Sequence, residues 1–430
     1  MRCLVYTFGT QGDVQPYVAL GSALRARGHD VLLATGQGFD SLITQAGLTS
    51  RALTIDYRAL LETDEVRDAL TSLSGKLRTY RALRDAMQTQ YEEMWNVAKE
   101  IQPDLVVVHP KGFAGVLIAR VLKVPCVATT LQPNFTPTAE FPQFLFRRSL
   151  GTVGNRLSYR LFNWATLRGQ NLSVDTFKRR SLGLGSQVRM TGFNGYHPDG
   201  RALPVLHAYS KALVPKPAAW GVAERITGYW FQQPVETWTP PPELEAFIER
   251  GPAPVYVGFG SMPTQDAPRI SRAVVAALKA VGARGILASG WGGLRAEVVG
   301  QDVHVIDAAP HSWLFPRCAA VVHHGGSGTT HEGLRWGRPT VVCSIGLDQP
   351  FWGRRVAHAK VGPAPIPMQA LTSERLASAL QSALSPECVA RAEAIGGVIR
   401  AECGTQQAAD CLNSLVSHLS RPAPSVGGAG

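Results

Sequence analysis

The residues best equipped for chemistry in this 430-residue chain gather between His323 and Val356. Two histidines, His323 and His324, lead into a Gly-Gly-Ser-Gly turn, with Thr329 and Glu332 just beyond it. Gly326, Ser327, Gly328 and Thr329 carry little side-chain bulk, so their backbone N–H groups can approach an anion closely. A helix starting there adds its dipole, and phosphate is the ligand that suits both. Asp348 and Gln349 offer further acceptors and donors for hydroxyls. A ligand with phosphates, a ribose and a polyhydroxylated group would use every one of these residues. Plainer readings stand beside these: His323 as a structural residue, His324 as an ordinary loop histidine, Glu332 as a first-turn acid complementing the helix dipole, the glycines as a tight connection.

A second group lies near the start. In the loop Gly9-Thr10-Gln11-Gly12-Asp13, Asp13 is either the cap of a helix beginning near Gln15 or a general base, and one carboxylate can do both. Partial shielding from water would raise its pKa and help it as a base. The loop lacks the GxGxxG fingerprint, which argues against a dinucleotide enzyme. His109 ends another β-rich run; it is either a loop histidine with a structural hydrogen bond or a group that binds an acceptor or orients Asp13.

Elements that would position these groups can be read from apolar runs and breakers. Strands are expected at 2–8, His29–Thr35, Leu105–Val108, Val124–Thr130 and Ala208–Val214, with a helix from Pro16 to Arg27. The proline-rich stretch from Gln232 to Pro254 reads as a linker around a short helix, Glu243 to Glu249. Beyond it come strands at Val255, Ile286–Ser289, Val303–Ile306, Ala319–Val322 and Thr340–Ile345. A helix is expected at Thr329–Trp336, and helical stretches at 371–384 and 385–418. Alternating strands and helices predict parallel α/β sheets, whose strand ends open onto one crevice.

Composition, 45% hydrophobic and 17% charged, suits two α/β domains. No apolar run is long enough to span a bilayer, and Leu4 to Phe8 is too short for a signal peptide, so a soluble, cytoplasmic protein is expected. Seven cysteines without CxxC or Cys/His metal spacing predict reduced, mostly buried thiols. The net charge of +11 suits an anionic ligand or membrane surface better than nucleic acid, for which no motif is present. Between Phe144 and Arg180 eight basic residues face one acid, Asp175, among interleaved aromatics. That segment is either a solvated helix face or a peripheral membrane contact.

Taken together, the stretch from His323, with HSWLFPR at His311–Arg317 and DQPFWG at Asp348–Gly353, resembles the donor-binding signature of the family 1 glycosyltransferases. The likeness is to the sterol 3-beta-glucosyltransferase and bacterial antibiotic or natural-product branches, and it runs from Met1 to about residue 415. It implies a GT-B fold, α/β, with two Rossmann-like domains facing across a cleft. The expected layout is an acceptor domain over 1–231, a linker over 232–253 and a donor domain over 254–405. A helix over 406–420 would cross back to the first domain, and 421–430 would be a disordered tail. The implied reaction is inverting transfer of a sugar from a nucleotide sugar, UDP-glucose in expectation, to a hydroxyl of a hydrophobic acceptor.

The resemblance makes Asp13 the catalytic base. It assigns donor contacts to Thr10, Gly12, Ser261, His324, Gly326, Ser327, Gly328, Thr329, Glu332, Asp348 and Gln349. The proline-rich loop 131–142 resembles an acceptor loop, with His109, Phe135, Phe141 and Phe144 as acceptor candidates. Trp291 and the backbone near Asp307 fall where the nucleobase pocket would be. The chain has no Asp-x-Asp pair, so neither a metal nor another cofactor is expected. Two rivals remain: a silent homologue acting as a binding protein, and a nucleotide-sugar epimerase or hydrolase.

Overall fold

The computed structural model describes residues 1–56, 73–200, 202–233, 238–260, 267–289 and 301–417. Ser261, Trp291 and the tail 421–430 lie outside the described residues, as does part of the expected linker.

The first half builds a seven-stranded sheet from β1 (Arg2–Tyr6), β2 (Asp30–Thr35), β3 (Thr49–Ala52), β4 (Leu105–Val108), β5 (Cys126–Thr130), β6 (Val205–His207) and β7 (Glu224–Ile226). Its order is β3-β2-β1-β4-β5-β6-β7, and every pairing is parallel. The helices are α1 (Gln11–Arg25), α2 (Asp40–Gln45), α3 (Leu73–Ile101), α4 (Ala114–Leu122) and α5 (Gly151–Arg180). After α6 (Pro242–Glu249) the second half builds a six-stranded sheet: β8 (Val255–Gly258), β9 (Gly285–Ala288), β10 (Val303–Ile306), β11 (Ala320–His323), β12 (Thr340–Ser344) and β13 (Ile366–Pro367). The order is β10-β9-β8-β11-β12-β13, again all parallel. Its helices are α7 (Ala267–Ala280), α8 (His311–Leu314), α9 (Ser327–Arg335), α10 (Gln349–His358), α11 (Ser373–Ala383), α12 (Pro386–Ala401) and α13 (Gly404–Ser417).

Runs such as Leu105-Val-Val-Val108 and Thr340-Val-Val-Cys-Ser344 are buried end to end. Continuous β-branched runs suit parallel strands covered on both faces.

Three expectations are corrected. Helix α1 begins at Gln11, not Pro16, because Thr10 caps it and Asp13 lies in its first turn. Pro16 removes only one N–H from the ladder. The strand expected at 208–214 is instead β6 at Val205–His207; Tyr209, Leu213 and Val214 are apolar because they enter a cluster shared by both domains. The helical stretch 385–418 breaks between α12 and α13, with Cys403 at φ 47°, a left-handed turn that lets α13 leave the second domain.

Helix α13 packs on the first domain. Ala408, Ala409, Cys411 and Leu412 join Val14, Val18, Leu24 and β1 in one apolar core, and Arg27 Nε donates to Asp410 Oδ1 at 2.9 Å. Because Leu412 is fully buried, Leu412→Ala should cost about 2–5 kcal/mol, read from chemical denaturation. A second cluster spans the domains, joining Phe141, Tyr159 and Tyr209 to Leu334, Phe351, Trp352 and Ile399. All seven cysteines are free and six are buried. Among the described residues no helix is long and apolar enough to cross a membrane.

Candidate active site in the interdomain cleft

In the first sheet the strand order reverses between β1 and β4, and in the second between β8 and β11. Ligands of open α/β sheets bind beyond the strand ends at such reversals. Asp13 follows β1 and His109 follows β4; Gly260 follows β8 and His324 follows β11. Both groups found in the sequence therefore sit at a reversal point.

On the first domain, the Thr10 N–H donates to Asp13 Oδ2 at 2.8 Å and its hydroxyl lies 3.3 Å from the same oxygen. Lys111 Nζ donates to Asp13 Oδ2 at 2.9 Å, and His109 Nε2 stands 3.6 Å from Oδ1. The His109 ring accepts from the Lys111 N–H through Nδ1, at 3.3 Å, so its proton belongs on Nε2, facing Asp13. Burial pushes His109 down to about 4, which makes it a neutral donor at pH 7.

Burial alone would raise the Asp13 pKa, but the Lys111 ammonium, His109 and the Lys111 and Thr10 hydrogen bonds hold it below the ordinary carboxylate value. This reverses the expectation of a raised pKa. The cause is Lys111, which the motif reading passed over; its signal was a cation three residues beyond a strand end. Gly9, at φ 132°, is part of the arrangement, since a Cβ there would fall on the Asp13 carboxylate and the Lys111 ammonium.

Across the cleft, α9 starts at Ser327 with Gly326 as its cap, two residues before the expected Thr329. The N–H groups of Ser327, Gly328 and Thr329 thus have no acceptor within the helix. Gly325 has φ 96°, and a Cβ there would stand 2.6 Å from Val342 Cγ1, so the turn needs glycine. His324 lies against this turn: a Cβ on Gly326 would be 2.6 Å from its Nε2, and one on Gly260 would be 3.0 Å from its Cε1. Its Nδ1 is buried without a hydrogen-bond partner among the described residues, and burial pushes the ring down to about 4. His323 is structural, its Nδ1 accepting from the Gly325 N–H at 2.9 Å.

Glu332 lies in the second turn of α9 rather than the first, so the dipole reading does not apply to it. Its Oε1 accepts from Trp336 Nε1 at 2.8 Å and faces Arg335 at 3.6 Å. Burial raises its pKa against the pull of Arg335 and Trp336. Asp348 Oδ2 accepts from Trp352 Nε1 at 3.0 Å and, from the other domain, Gln132 Nε2 at 3.1 Å. Burial raises its pKa, and the charge of Asp13 adds to that, so the two carboxylates share the cleft. The Gln349 carbonyl accepts from the Ile345 and Gly346 N–H groups at 2.7 and 3.2 Å, which leaves only its amide N–H groups for a ligand. The Ser327 hydroxyl is likewise engaged, donating to the Leu131 carbonyl at 3.3 Å.

Sequence reasoning missed two further groups. His331 accepts from the Ser210 N–H at 3.1 Å and donates to the Ser327 carbonyl at 2.7 Å, tying α9 to the first domain. Tyr229 stacks on His331 at 4.6 Å and feels the charges of both Glu332 and Asp13. His331 lies inside the signature stretch but was given no role there, and Tyr229 lies outside it; only the meeting of the domains gives them one.

Beside His109 opens a cavity of about 220 Å³, lined among others by Phe113, Thr129, Phe135, Asn163 and Phe193. Phe135 forms its wall, stacked on Phe193 at 3.6 Å. The other two phenylalanine candidates do not line it. Phe141 is buried against Phe351, 5.8 Å away, and under the Arg355 guanidinium, because the prolyl loop crosses onto the second domain there. Phe144 packs on Phe162 at 5.9 Å.

Comparison with known proteins adds to this geometry. Residues 3–128 match the glycosyltransferase family 28 N-terminal domain, and residues 276–402 the C-terminal domain of erythromycin biosynthesis protein CIII-like proteins. Two sterol 3-beta-glucosyltransferases of Arabidopsis thaliana are each 33% identical, covering 100% and 96% of this chain and 68% of each relative. The calicheamicin glycosyltransferase CalG4 superposes with a TM-score of 0.70 over 98% of this chain and 100% of its own, at 19% identity, a likeness of fold. The chain is an enzyme of glycosyl transfer and belongs to the GT-B glycosyltransferases, in the family of the sterol 3-beta-glucosyltransferases.

Proposed function

We propose that this enzyme transfers glucose from UDP-glucose, with inversion, to the hydroxyl of a sterol-like acceptor. One observation carries the reading: a carboxylate, Asp13, stands against His109 in the wall of a cavity, and its charge reaches Asp348 on the other domain and Tyr229, which also feels Glu332. A hydroxyl attacking an anomeric carbon must lose its proton as the bond forms, and Asp13 accepts it. The neutral His109 Nε2–H and the Thr10 N–H fix the direction of the carboxylate.

The nucleoside diphosphate departs on the opposite face of the sugar. Its growing charge meets the N–H groups of Ser327, Gly328 and Thr329 and the imidazole of His324, donors fixed before the reaction begins. Glu332 takes the ribose hydroxyls; Asp348 and the Gln349 amide take sugar hydroxyls. Thr10, Gly12 and Ser261 complete the donor set in this reading. The first domain serves the acceptor and the second the donor. No metal has a part in the scheme. The acceptor's apolar character also suits delivery from a membrane surface through the 144–180 segment.

The direct test is mass-spectrometric detection of hexose addition to cholesterol by purified protein with UDP-glucose. A hexose adduct is the expected result. Donor left intact beside unmodified cholesterol would overturn the sterol reading, and donor hydrolysed without an adduct would favour a hydrolase.

The Lys111–Asp13 pair gives this scheme a pH signature. Asp13 must be ionised to act, so kcat/KM falls as pH drops through its pKa. Lys111 and His109 hold that pKa below the ordinary carboxylate value, so the wild-type rate should stay flat through pH values of about 5. Removing the ammonium in Lys111→Met should move the acid limb upward by about one pH unit. An unchanged limb in that variant would separate Asp13 from the rate.

A further inference from the structure

Helix α5 has two faces of different character. Val153, Leu157, Leu161, Trp164 and Leu172 lie three, four or eight residues apart along one side, a spacing that keeps them in a single stripe, and Leu150 precedes them at the helix cap. Each is between 46% and 78% exposed. With Leu145 and Phe146 they make eight of the eleven large apolar side chains exposed among the described residues. Scattered exposed leucines need no explanation, but a continuous stripe does.

The stripe carries a one-sided charge. Arg147, Arg148, Arg156, Arg160 and Arg168 are all exposed around it, and no acid occurs from Phe144 to Val174. Asp175, at the far end, is already paired with Lys178 and Arg179. The Arg168 guanidinium lies over the Trp164 ring at 5.9 Å, as an amphipathic cation does at a polar–apolar boundary.

The opposite face of α5 belongs to the acceptor side of the cleft. The Asn163 amide donates to the Phe135 carbonyl at 2.7 Å, the Asn155 amide to the Ala139 carbonyl at 2.8 Å, and Phe162 packs on Phe135 at 5.9 Å. Asn163 and Phe135 both line the cavity beside His109. One helix diameter, about 10–12 Å, therefore separates the stripe from the cavity wall.

We infer that this stripe is a docking face for an anionic lipid surface, laying α5 along the headgroup boundary with the acceptor cavity just above it. Apolar side chains enter the interface and the arginines pair with anionic headgroups. Charge decides against a second copy as the occupant: two stripes face to face would bring five arginines against five without an intervening acid. The assignment of a lipid-borne acceptor rests on the proposed function; the docking face itself does not.

The test is cosedimentation of the whole purified chain with vesicles of phosphatidylcholine alone or with roughly one third phosphatidylserine. Binding to the anionic vesicles is expected, weakening about ten-fold or more when salt is raised to about 0.5 M. Leu157→Glu/Leu161→Glu should lose about ten-fold or more of that binding while keeping wild-type helicity and turnover of a detergent-solubilised acceptor. Arg156→Ser/Arg160→Ser removes charge from solvent-exposed positions and should give an intermediate loss, so the test survives if the glutamate variant fails to fold. Wild-type protein that ignores anionic vesicles, or variants that bind as wild type, would overturn the inference. So would a wild-type dimer that the glutamate variant dissociates, which would assign the stripe to a second copy. Vesicle binding is read without sugar transfer, so failure here and failure of the proposed reaction are separate results.

Discussion

Asp13→Asn is expected to slow sugar transfer by about 10²–10⁴-fold, the range by which a positioned general base contributes, with nucleotide affinity left within about two-fold. Asparagine keeps the size of the side chain and an oxygen able to accept from the Thr10 N–H, so the start of α1 survives. What disappears is the group that takes the acceptor's proton, along with the ion pair to Lys111. That ion pair is partly exposed, with the lysine side chain 44% accessible, so its loss costs the fold little. Initial rates with a sterol acceptor, beside calorimetric titration of UDP, separate the two effects. A variant that still transfers near the wild-type rate would remove Asp13 from the role of base.

His324→Ala should lower kcat by about 10²–10³-fold, the effect of deleting one preorganised donor at a site of developing charge. The imidazole is buried, neutral at pH 7 and wedged between Gly260 and Gly326, so it pays no reorganisation when the diphosphate begins to carry charge. Its Nδ1 has no partner among the described residues, and a buried polar atom left in that state is costly unless a ligand meets it. Gly326→Val tests the same place from the other side, since its side chain would crowd the His324 ring and the first turn of α9. It should weaken nucleotide binding by about ten-fold or more, by obstructing the approach of phosphate to the free N–H groups. Single-turnover kinetics distinguish the outcomes: a loss confined to binding in both variants would argue against a role for His324 in the leaving-group step.

Much of the fold was legible because parallel strands announce themselves. Leu105–Val108 emerged with the expected bounds, and Val303–Ile306 did too, since a short β-branched run between breakers has few other places to go. Ala208–Val214 shows the limit. Its apolar residues are buried, yet in the cluster between domains, and apolarity reports burial without naming the neighbour. The start of α1 was misplaced because Pro16 is a strong local signal for a first helical position, while the reciprocal bonding of Thr10 and Asp13 needs the turn already formed.

The site divides along the same line. Residues carried by one loop, such as His324 to Thr329, could be grouped by spacing alone. Lys111 could not, because a lysine past a strand end is ordinarily solvated. It reaches Asp13 only because β4 lies beside β1, and strand order is written in the tertiary structure. Phe141 shows the reverse: an aromatic in a prolyl loop looks available for ligand, but this one is held by Phe351 and Arg355 of the second domain.

The return of α13 to the first domain sets an order of events during synthesis. The side of α1 near Arg27, where α13 docks through Asp410, stays uncovered until residues 408–412 have left the ribosome. Ribosomes add about 5–20 residues per second, so the stretch between β7 and α13 takes roughly 10–40 s to make. Through that interval the domain synthesised first waits, incomplete, while the domain synthesised second can already close its own sheet. Chaperone occupancy on nascent chains should accordingly persist on the first domain and end only when the final helix emerges.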